Sequence, residues 1–68
     1  MIKCHLSTLM GTKKLKIIEL ARELNVHRGA ITALYNETAK RVDIELIDKL
    51  CIYFECDVGD ILEFERSK

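Results

Sequence analysis

Two short amphipathic segments joined by three residues constrain this chain more than any other part of its sequence. The first has four apolar residues at the spacing of one helical face: Ile17, Leu20, Ala21 and Leu24. The second, at about 28–36, has three that turn inward: Ile31, Leu34 and Tyr35. Asn25 follows the first segment and tolerates the left-handed backbone that ends a helix tightly. A turn this short sets two helices at a steep angle, so the pattern predicts a helix-turn-helix unit with motif helices at about 17–24 and 28–36.

Further helices are predicted on either side of this unit. Apolar spacing indicates helices at about 7–14 and 44–54 and a one-turn helix near 58–62, the last two N-capped by Asp43 and Asp57. Their expected inward positions are Ile44, Ile47, Leu50, Cys51, Phe54, Val58, Ile61 and Leu62. Ile18 and Leu46 fall off their helical stripes, so we expect both to be exposed, as candidates for a dimer surface.

The two ends of the chain alternate with period two. Ile2 and Cys4 flank Lys3, and Leu62 and Phe64 flank Glu63, which is enough for two short strands. The strands are expected to pair antiparallel, either within a chain or between chains. The sequence therefore predicts an all-α fold, a compact single domain of four to five helices over residues 1–68, with short terminal β-strands pairing.

The formal charge of zero hides a strong asymmetry along the chain. Residues 1–41 carry eight basic and three acidic side chains, whereas residues 42–68 carry three basic and eight acidic ones, so the segments have net charges of +5 and −5. This split favours a basic working face opposite an acidic one, and chance clustering on a solvated surface is the alternative.

Several classes of protein are disfavoured by the sequence. A chain of 68 residues is too short for a large enzyme with its own cofactor cleft, and no pairing of nucleophile and base emerges. No apolar run suits a signal peptide or a membrane span, so we expect a cytoplasmic protein. A zinc site from Cys4, His5, Cys51 and Cys56 lacks any recognised spacing. We expect no enzyme activity, no metal, no cofactor, no membrane partner and, without a second domain, no small-molecule effector.

The run LKIIELARELNVHRGAITALYN, residues 15–36, resembles the helix-turn-helix core of the phage repressor and Cro family of transcriptional regulators. The likeness covers about residues 6–64, and its most specific pieces are Leu20-Ala21, Leu34-Tyr35-Asn36 and the closing DVGDIL at 57–62. It implies a lambda-repressor-like domain that binds double-stranded DNA sequence-specifically as a small transcriptional regulator, typically a repressor. It also implies a homodimer on a palindromic operator.

Four positions depart from the family pattern. Asn25 stands where the family usually has Gly, and Lys16 and His27 stand where it usually has Ser or Thr as helix caps. Each missing oxygen cap costs about 1 kcal/mol of stability. Glu37 stands where Gly often follows the Asn, and an acid facing phosphate would weaken DNA binding.

The second motif helix is expected to enter the major groove with its N-terminal residues at base edges. The outward positions are Arg28, Gly29, Thr32 and Ala33. The Arg28 guanidinium fits guanine O6 and N7, Thr32 suits a base edge or a thymine methyl, and the two small residues permit close approach. Few polar side chains on this helix can contact base edges, so we expect each half-site to be recognised with modest sequence specificity. DNA shape and the spacing of the two subunits in a dimer are expected to supply the remaining specificity.

Phosphate contacts are expected on both sides of this helix. Lys16 and the backbone amide of Ile17 lie at the start of the first motif helix, where an anion is favoured. Four further residues follow the second motif helix: Asn36, Thr38, Lys40 and Arg41.

The rival hypothesis is a protein-interaction module, an antitoxin or adaptor on the same fold with weak DNA binding, favoured by the neutral charge and by Glu37. The two hypotheses differ in whether Arg28 and the three flanking cations share one surface.

Overall fold

The computed structural model describes residues 1–66 and contains five helices and two short strands. In chain order they are β1 Ile2–Cys4, α1 Leu6–Thr12, α2 Ile17–Leu24, α3 Arg28–Tyr35, α4 Ile44–Phe54, α5 Val58–Ile61 and β2 Leu62–Phe64. The predicted all-α fold with terminal strands that pair is therefore confirmed. Compared with the sequence-based bounds, α1 begins one residue earlier and ends two residues earlier, and α3 and α5 each end one residue earlier.

One apolar core joins all five helices. Each helix contributes at least one fully buried side chain, and the largest of these are Leu6, Met10, Leu20, Ile31, Leu50 and Ile61. Burying an aliphatic side chain of this size is worth about 1.5–3 kcal/mol, so these few residues carry much of the stability of so small a fold. Half-buried apolar residues from both strands and from the turns complete the cluster.

The four longer helices all end in the same way, on a non-glycine residue in the left-handed conformation. These residues have φ angles between 52° and 56°: Lys14, Asn25, Glu37 and Glu55. After each one, an amide donates to a carbonyl five residues back, as in Leu15 to Met10 at 3.0 Å and Val26 to Ala21 at 3.0 Å. This is the Schellman motif, which satisfies the last helical carbonyls and brings the two side chains concerned into contact. The left-handed stop predicted at Asn25 is thus present.

The starts of the helices are capped unevenly. Asp43 caps α4 as predicted, because its carboxylate accepts a hydrogen bond from the backbone amide of Glu45 at 2.9 Å. Neither Lys16 nor His27 makes a side-chain capping bond. At α5 the N-cap is Asp57, as predicted, and the Asp60 carboxylate accepts a hydrogen bond from the backbone amide of Asp57 at 3.0 Å, as in a capping box.

The strands form a two-stranded antiparallel ribbon that closes the domain. Ile2 pairs with Phe64, and Cys4 pairs with Leu62, so these four side chains share one face. The His5 ring contacts the Glu63 carboxylate at 2.8 Å, and the His5 amide donates to the Ile61 carbonyl at 2.7 Å. The sequence left open whether the ends pair within one chain, and here they do.

Four predictions about burial are wrong. Ile44 and Val58 were expected inward but are 78% and 52% exposed, because each is the first residue of its helix and lies beyond the edge of the core. Tyr35 was also expected inward and is 40% exposed at the last residue of α3. Leu46 was expected to be exposed and is buried, since α4 turns Leu46, Ile47 and Leu50 toward the core. Ile18 is 48% exposed, as predicted.

The left-handed positions generate a stability prediction. An L-residue other than Gly pays roughly 1–2 kcal/mol for this conformation, partly offset by the greater chain entropy of Gly. Lys14→Gly and Glu55→Gly are therefore expected to raise the free energy of unfolding by about 0.5–1 kcal/mol each, measured by urea denaturation.

Glu37→Gly is the matched comparison, because its carboxylate also accepts a hydrogen bond from the Cys4 amide at 3.1 Å. Losing that bond cancels part of the gain, so Glu37→Gly should stabilise less than the other two. Equal gains at all three positions would show that the bond between Glu37 and β1 contributes nothing.

Candidate nucleic-acid interface

The position of α3 is set by its packing against α2. Ile31 and Leu34 of α3 are buried in the same cluster as Leu20 and Leu24 of α2. Ala21 is 6% exposed and small enough to let the second helix pass close to the first. This packing uses one side of α3 and leaves its N-terminal end open, where Arg28, Gly29 and Ala30 are all exposed.

The four residues predicted to face bases are not equally accessible. Arg28 and Gly29 are exposed in the first turn of α3, whereas Thr32 and Ala33 are half-buried. The Thr32 hydroxyl donates a hydrogen bond to the Arg28 carbonyl at 3.0 Å. Its proton is therefore committed to the helix, which leaves the oxygen lone pairs and the methyl group for a DNA base. A methyl group built on Gly29 would meet no atom within 4 Å, so this part of α3 presents an open surface.

Two exposed residues of α3 were not identified from the sequence. Ala30 adds to the small-residue surface beside Gly29, and Tyr35 presents part of its ring at the far end of the helix. Apolar spacing predicted that Tyr35 lies in the core. The prediction failed because a tyrosine on a helical stripe suits a buried or a half-exposed site equally well. Its phenol is a hydrogen-bond donor in reach of solvent.

The residues predicted to bind phosphate lie at the start of α2 and in the loop after α3. Lys16 is the exposed residue before α2, and Ile17 is its half-buried first residue. The loop residues are all exposed: Asn36, Thr38, Lys40 and Arg41. Thr38 is tied to the end of α3, because its amide donates to the Ala33 carbonyl at 2.9 Å and its hydroxyl lies 3.4 Å from the same oxygen.

The cations of this region are not neutralised by the protein itself. Within residues 1–66 the one ion pair is between His5 and Glu63, so no carboxylate there pairs with Lys16, Arg28, Lys40 or Arg41. Unpaired exposed cations keep their full charge for an anionic partner.

Two acidic residues of the basic half have structural partners. Glu19 extends back over the start of α2 and accepts a hydrogen bond from the Lys16 amide at 2.8 Å. It was not identified from the sequence, although Glu three residues after a cap position is a known capping signal. Glu37, which was expected to face phosphate, accepts a hydrogen bond from the Cys4 amide instead. Glu19 thus places a negative charge where the sequence predicts a phosphate, whereas Glu37 joins the loop to β1.

A helix-turn-helix whose second helix begins with an exposed turn, with exposed cations before and after it along the chain, is the arrangement of a DNA-binding domain. Comparison with known families agrees with this geometry. The family model described as the Cro/C1-type HTH DNA-binding domain matches residues 5–67, and the chain belongs to this family. The chain is also 25% identical over 64 residues to YozG of Bacillus subtilis (strain 168), an uncharacterized HTH-type transcriptional regulator, covering 94% of this chain and 76% of that protein.

No helix in residues 1–66 has both the length and the apolar character needed to cross a membrane. The same residues contain no group of three or more His, Cys, Asp or Glu side chains placed to hold a metal ion.

The position of Glu19 generates a prediction about DNA affinity. Glu19→Gln keeps an oxygen that can accept from the Lys16 amide but removes a negative charge beside the expected phosphate. We expect tighter binding to duplex DNA, by about 2–5-fold at low salt, as for a charge effect of roughly 0.5–1 kcal/mol at a helix end.

Glu55→Gln is the control, since it removes the same charge at the end of α4. The affinity can be measured by fluorescence anisotropy at several salt concentrations. Equal effects of the two substitutions would mean that only net charge matters and that no phosphate lies at the start of α2.

Proposed function

We propose that this chain binds double-stranded DNA sequence-specifically in the cytoplasm, with α3 in the major groove, and acts as a small transcriptional repressor. The observation that carries the proposal is the open N-terminal end of α3, flanked along the chain by cations that no carboxylate of residues 1–66 neutralises. The similarity to an HTH-type transcriptional regulator supports a regulatory role.

In this proposal Arg28 provides the direct readout of sequence. It is exposed in the first turn of α3, and its guanidinium donates two hydrogen bonds to a guanine edge, worth roughly 1–3 kcal/mol of discrimination. Thr32 contributes its methyl group or a lone pair, since its proton is already donated to the Arg28 carbonyl. Gly29 and Ala33 let the backbone approach the bases.

Phosphate contacts position the domain on the duplex. Lys16 and the Ile17 amide act at the start of α2, and the loop after α3 adds Asn36, Thr38, Lys40 and Arg41. A dimer that uses about four phosphates per subunit would lose affinity with a log–log salt slope near −7.

Homodimerisation is proposed through the terminal ribbon. Ile2 and Phe64 face each other across it and are 62% and 61% exposed. The ribbon has two strands, so within residues 1–66 each strand leaves one edge without a partner strand. A second copy of β2, paired antiparallel about a two-fold axis, would satisfy that edge and cover both Phe64 side chains.

The adaptor or antitoxin hypothesis stays as the second candidate. The zero net charge and the Glu19 carboxylate at the start of α2 favour it, because both lower attraction to phosphate. On this hypothesis the exposed end of α3 would contact a protein, and duplex binding would be weak at every sequence.

Selection of bound duplexes from random DNA tests the proposal directly. We expect an enriched palindromic site, and Arg28→Ala should cost about 1–3 kcal/mol there and relax the preference at one base pair. Lys40→Ala should weaken binding to all sequences alike and reduce the salt slope by about one.

Lys13→Ala, just after α1, is the charge-matched control and should change little. No enriched sequence, together with no effect of Arg28→Ala and Lys40→Ala on duplex binding, would contradict the proposal and favour the adaptor hypothesis.

The three glycines allow a separate test of whether α3 enters the groove. A methyl group added at Gly11, Gly29 or Gly59 meets nothing within 4 Å, and all three lie in helices. Each substitution to Ala is expected to stabilise the fold by up to about 1 kcal/mol in thermal unfolding. Only Gly29→Ala should weaken operator binding, because only there would the methyl group meet a base edge. If it binds like Gly11→Ala, α3 does not approach DNA at this turn.

The dimer surface is tested by Phe64→Ser, with Ile52→Ser as a control of similar size and exposure. Ile52 is 70% exposed on α4 and belongs to neither strand of the ribbon. In analytical ultracentrifugation we expect Phe64→Ser to raise the dimer dissociation constant at least 10-fold and Ile52→Ser to leave it unchanged. An effect of similar size for both would place the interface elsewhere.

A further inference from the structure

Two cysteines meet at the end of α4. Cys51 lies in the last turn, and Cys56 follows the left-handed Glu55, whose φ angle is 52°. The Cys56 amide donates to the Cys51 carbonyl at 3.0 Å, and the Glu55 amide donates to the Ile52 carbonyl at 3.3 Å. This Schellman pairing brings the side chains of Cys51 and Cys56 together.

The comparison with the other helix ends shows what is unusual here. In α1 and α2 the equivalent positions hold Met10 with Leu15 and Ala21 with Val26, which are the ordinary apolar contacts of this motif. In α4 two thiols stand in their place, and both pack against the core while remaining half-buried. Cysteine also packs as a small apolar residue, but two thiols at this contact can in addition be oxidised together.

The Cys51 thiol is close enough to affect the ionisation of Cys56. Burial raises the pKa of the Cys56 thiol, and the nearby Cys51 thiol raises it further, as do Asp60 and Asp57. Cys4, on β1, is separate from this pair and its thiol pKa is also raised, mainly by burial. Within residues 1–66 no group of three or more His, Cys, Asp or Glu side chains, at this pair or elsewhere, is placed to hold a metal ion.

We propose that Cys51 and Cys56 form a dithiol modification site, which a small-molecule disulfide oxidises to an intramolecular disulfide. One cysteine, as the thiolate, attacks a sulfur of the oxidant and releases one small thiol, leaving a mixed disulfide. The other cysteine attacks the protein sulfur of that mixed disulfide and releases the second small thiol. Two protein thiols are thereby oxidised, the oxidant is reduced to two thiols, and their two protons pass to the released thiols.

The surrounding structure favours closure over a stable mixed disulfide. The backbone between the two cysteines is already held by two hydrogen bonds, so the second thiol is next to the mixed disulfide when it forms. The reaction should be slow near neutral pH and faster at higher pH, because the thiolate is the nucleophile and the pKa of Cys56 is raised. The product would link α4 to the segment that leads into α5 and the buried Ile61.

The test uses the unaltered protein, because trypsin leaves Cys51 and Cys56 in one peptide and Cys4 in another. Cleavage after Lys49 and Arg66 leaves Cys51 and Cys56 together in the peptide 50–66, whereas Cys4 falls in the peptide 4–13. The folded protein is incubated with oxidised glutathione, quenched with acid, digested without reductant and examined by mass spectrometry. We expect peptide 50–66 to lose the mass of two hydrogens, at a rate that rises between pH 7 and pH 9.

Single substitutions and the unfolded chain are the controls. Cys51→Ser and Cys56→Ser should stop at one glutathione on peptide 50–66, and Cys4→Ser should behave as the unaltered protein does. The closing step should also be at least 10-fold faster in the folded protein than in urea. Two glutathiones on peptide 50–66, a disulfide between chains, or equal closure rates in the folded and unfolded protein would each overturn the proposal. A folded protein left unmodified while the unfolded chain closes would overturn it as well.

Discussion

The packing of α3 against α2 across Ala21 is the contact on which the rest of the structure depends. It can form because Asn25 adopts a left-handed conformation and Val26 then returns a hydrogen bond to the Ala21 carbonyl. That turn directs Ile31 and Leu34 into the core and leaves the first turn of α3 outside it. The other helices bury the remaining apolar sides of this pair, and the ribbon joins the two ends of the chain.

The acidic and the basic side chains of this domain have different roles. The acids Glu19 and Glu37, both in the basic half, accept hydrogen bonds from backbone amides and so support helix α2 and strand β1. The cations of that half have no ion-pair partner within residues 1–66, whereas four of the eight acidic side chains of the second half lie on α4, α5 and β2 and the other four flank these elements. Zero net charge therefore describes a chain whose two halves carry opposite net charge, and local charge governs contact with an anionic partner more than the total does.

Sequence reasoning was most accurate where the chain supplies strong local signals. Helix bounds at α2 and α4, the Asp43 cap and the stop at Asn25 follow from apolar spacing and cap chemistry. It failed where burial depends on how far the core extends. Ile44 and Val58 lie on predicted stripes, but each begins its helix beyond the last layer of packed side chains. The candidate DNA-binding residues were located by motif geometry, whereas the hydrogen bonds of Thr32 and Glu19 required coordinates.

The sequence by itself determined the class of fold, the helix-turn-helix and its family, because periodicity, turn chemistry and short motifs are local properties of the chain. Only the tertiary structure decided which apolar side chains are covered and that the two ends pair with each other. It also decided that Glu37 bonds to β1 and that Cys51 meets Cys56. Those outcomes depend on distances between residues far apart in the chain, or on the dihedral angles of a single turn, and neither is encoded in a spacing of residue types.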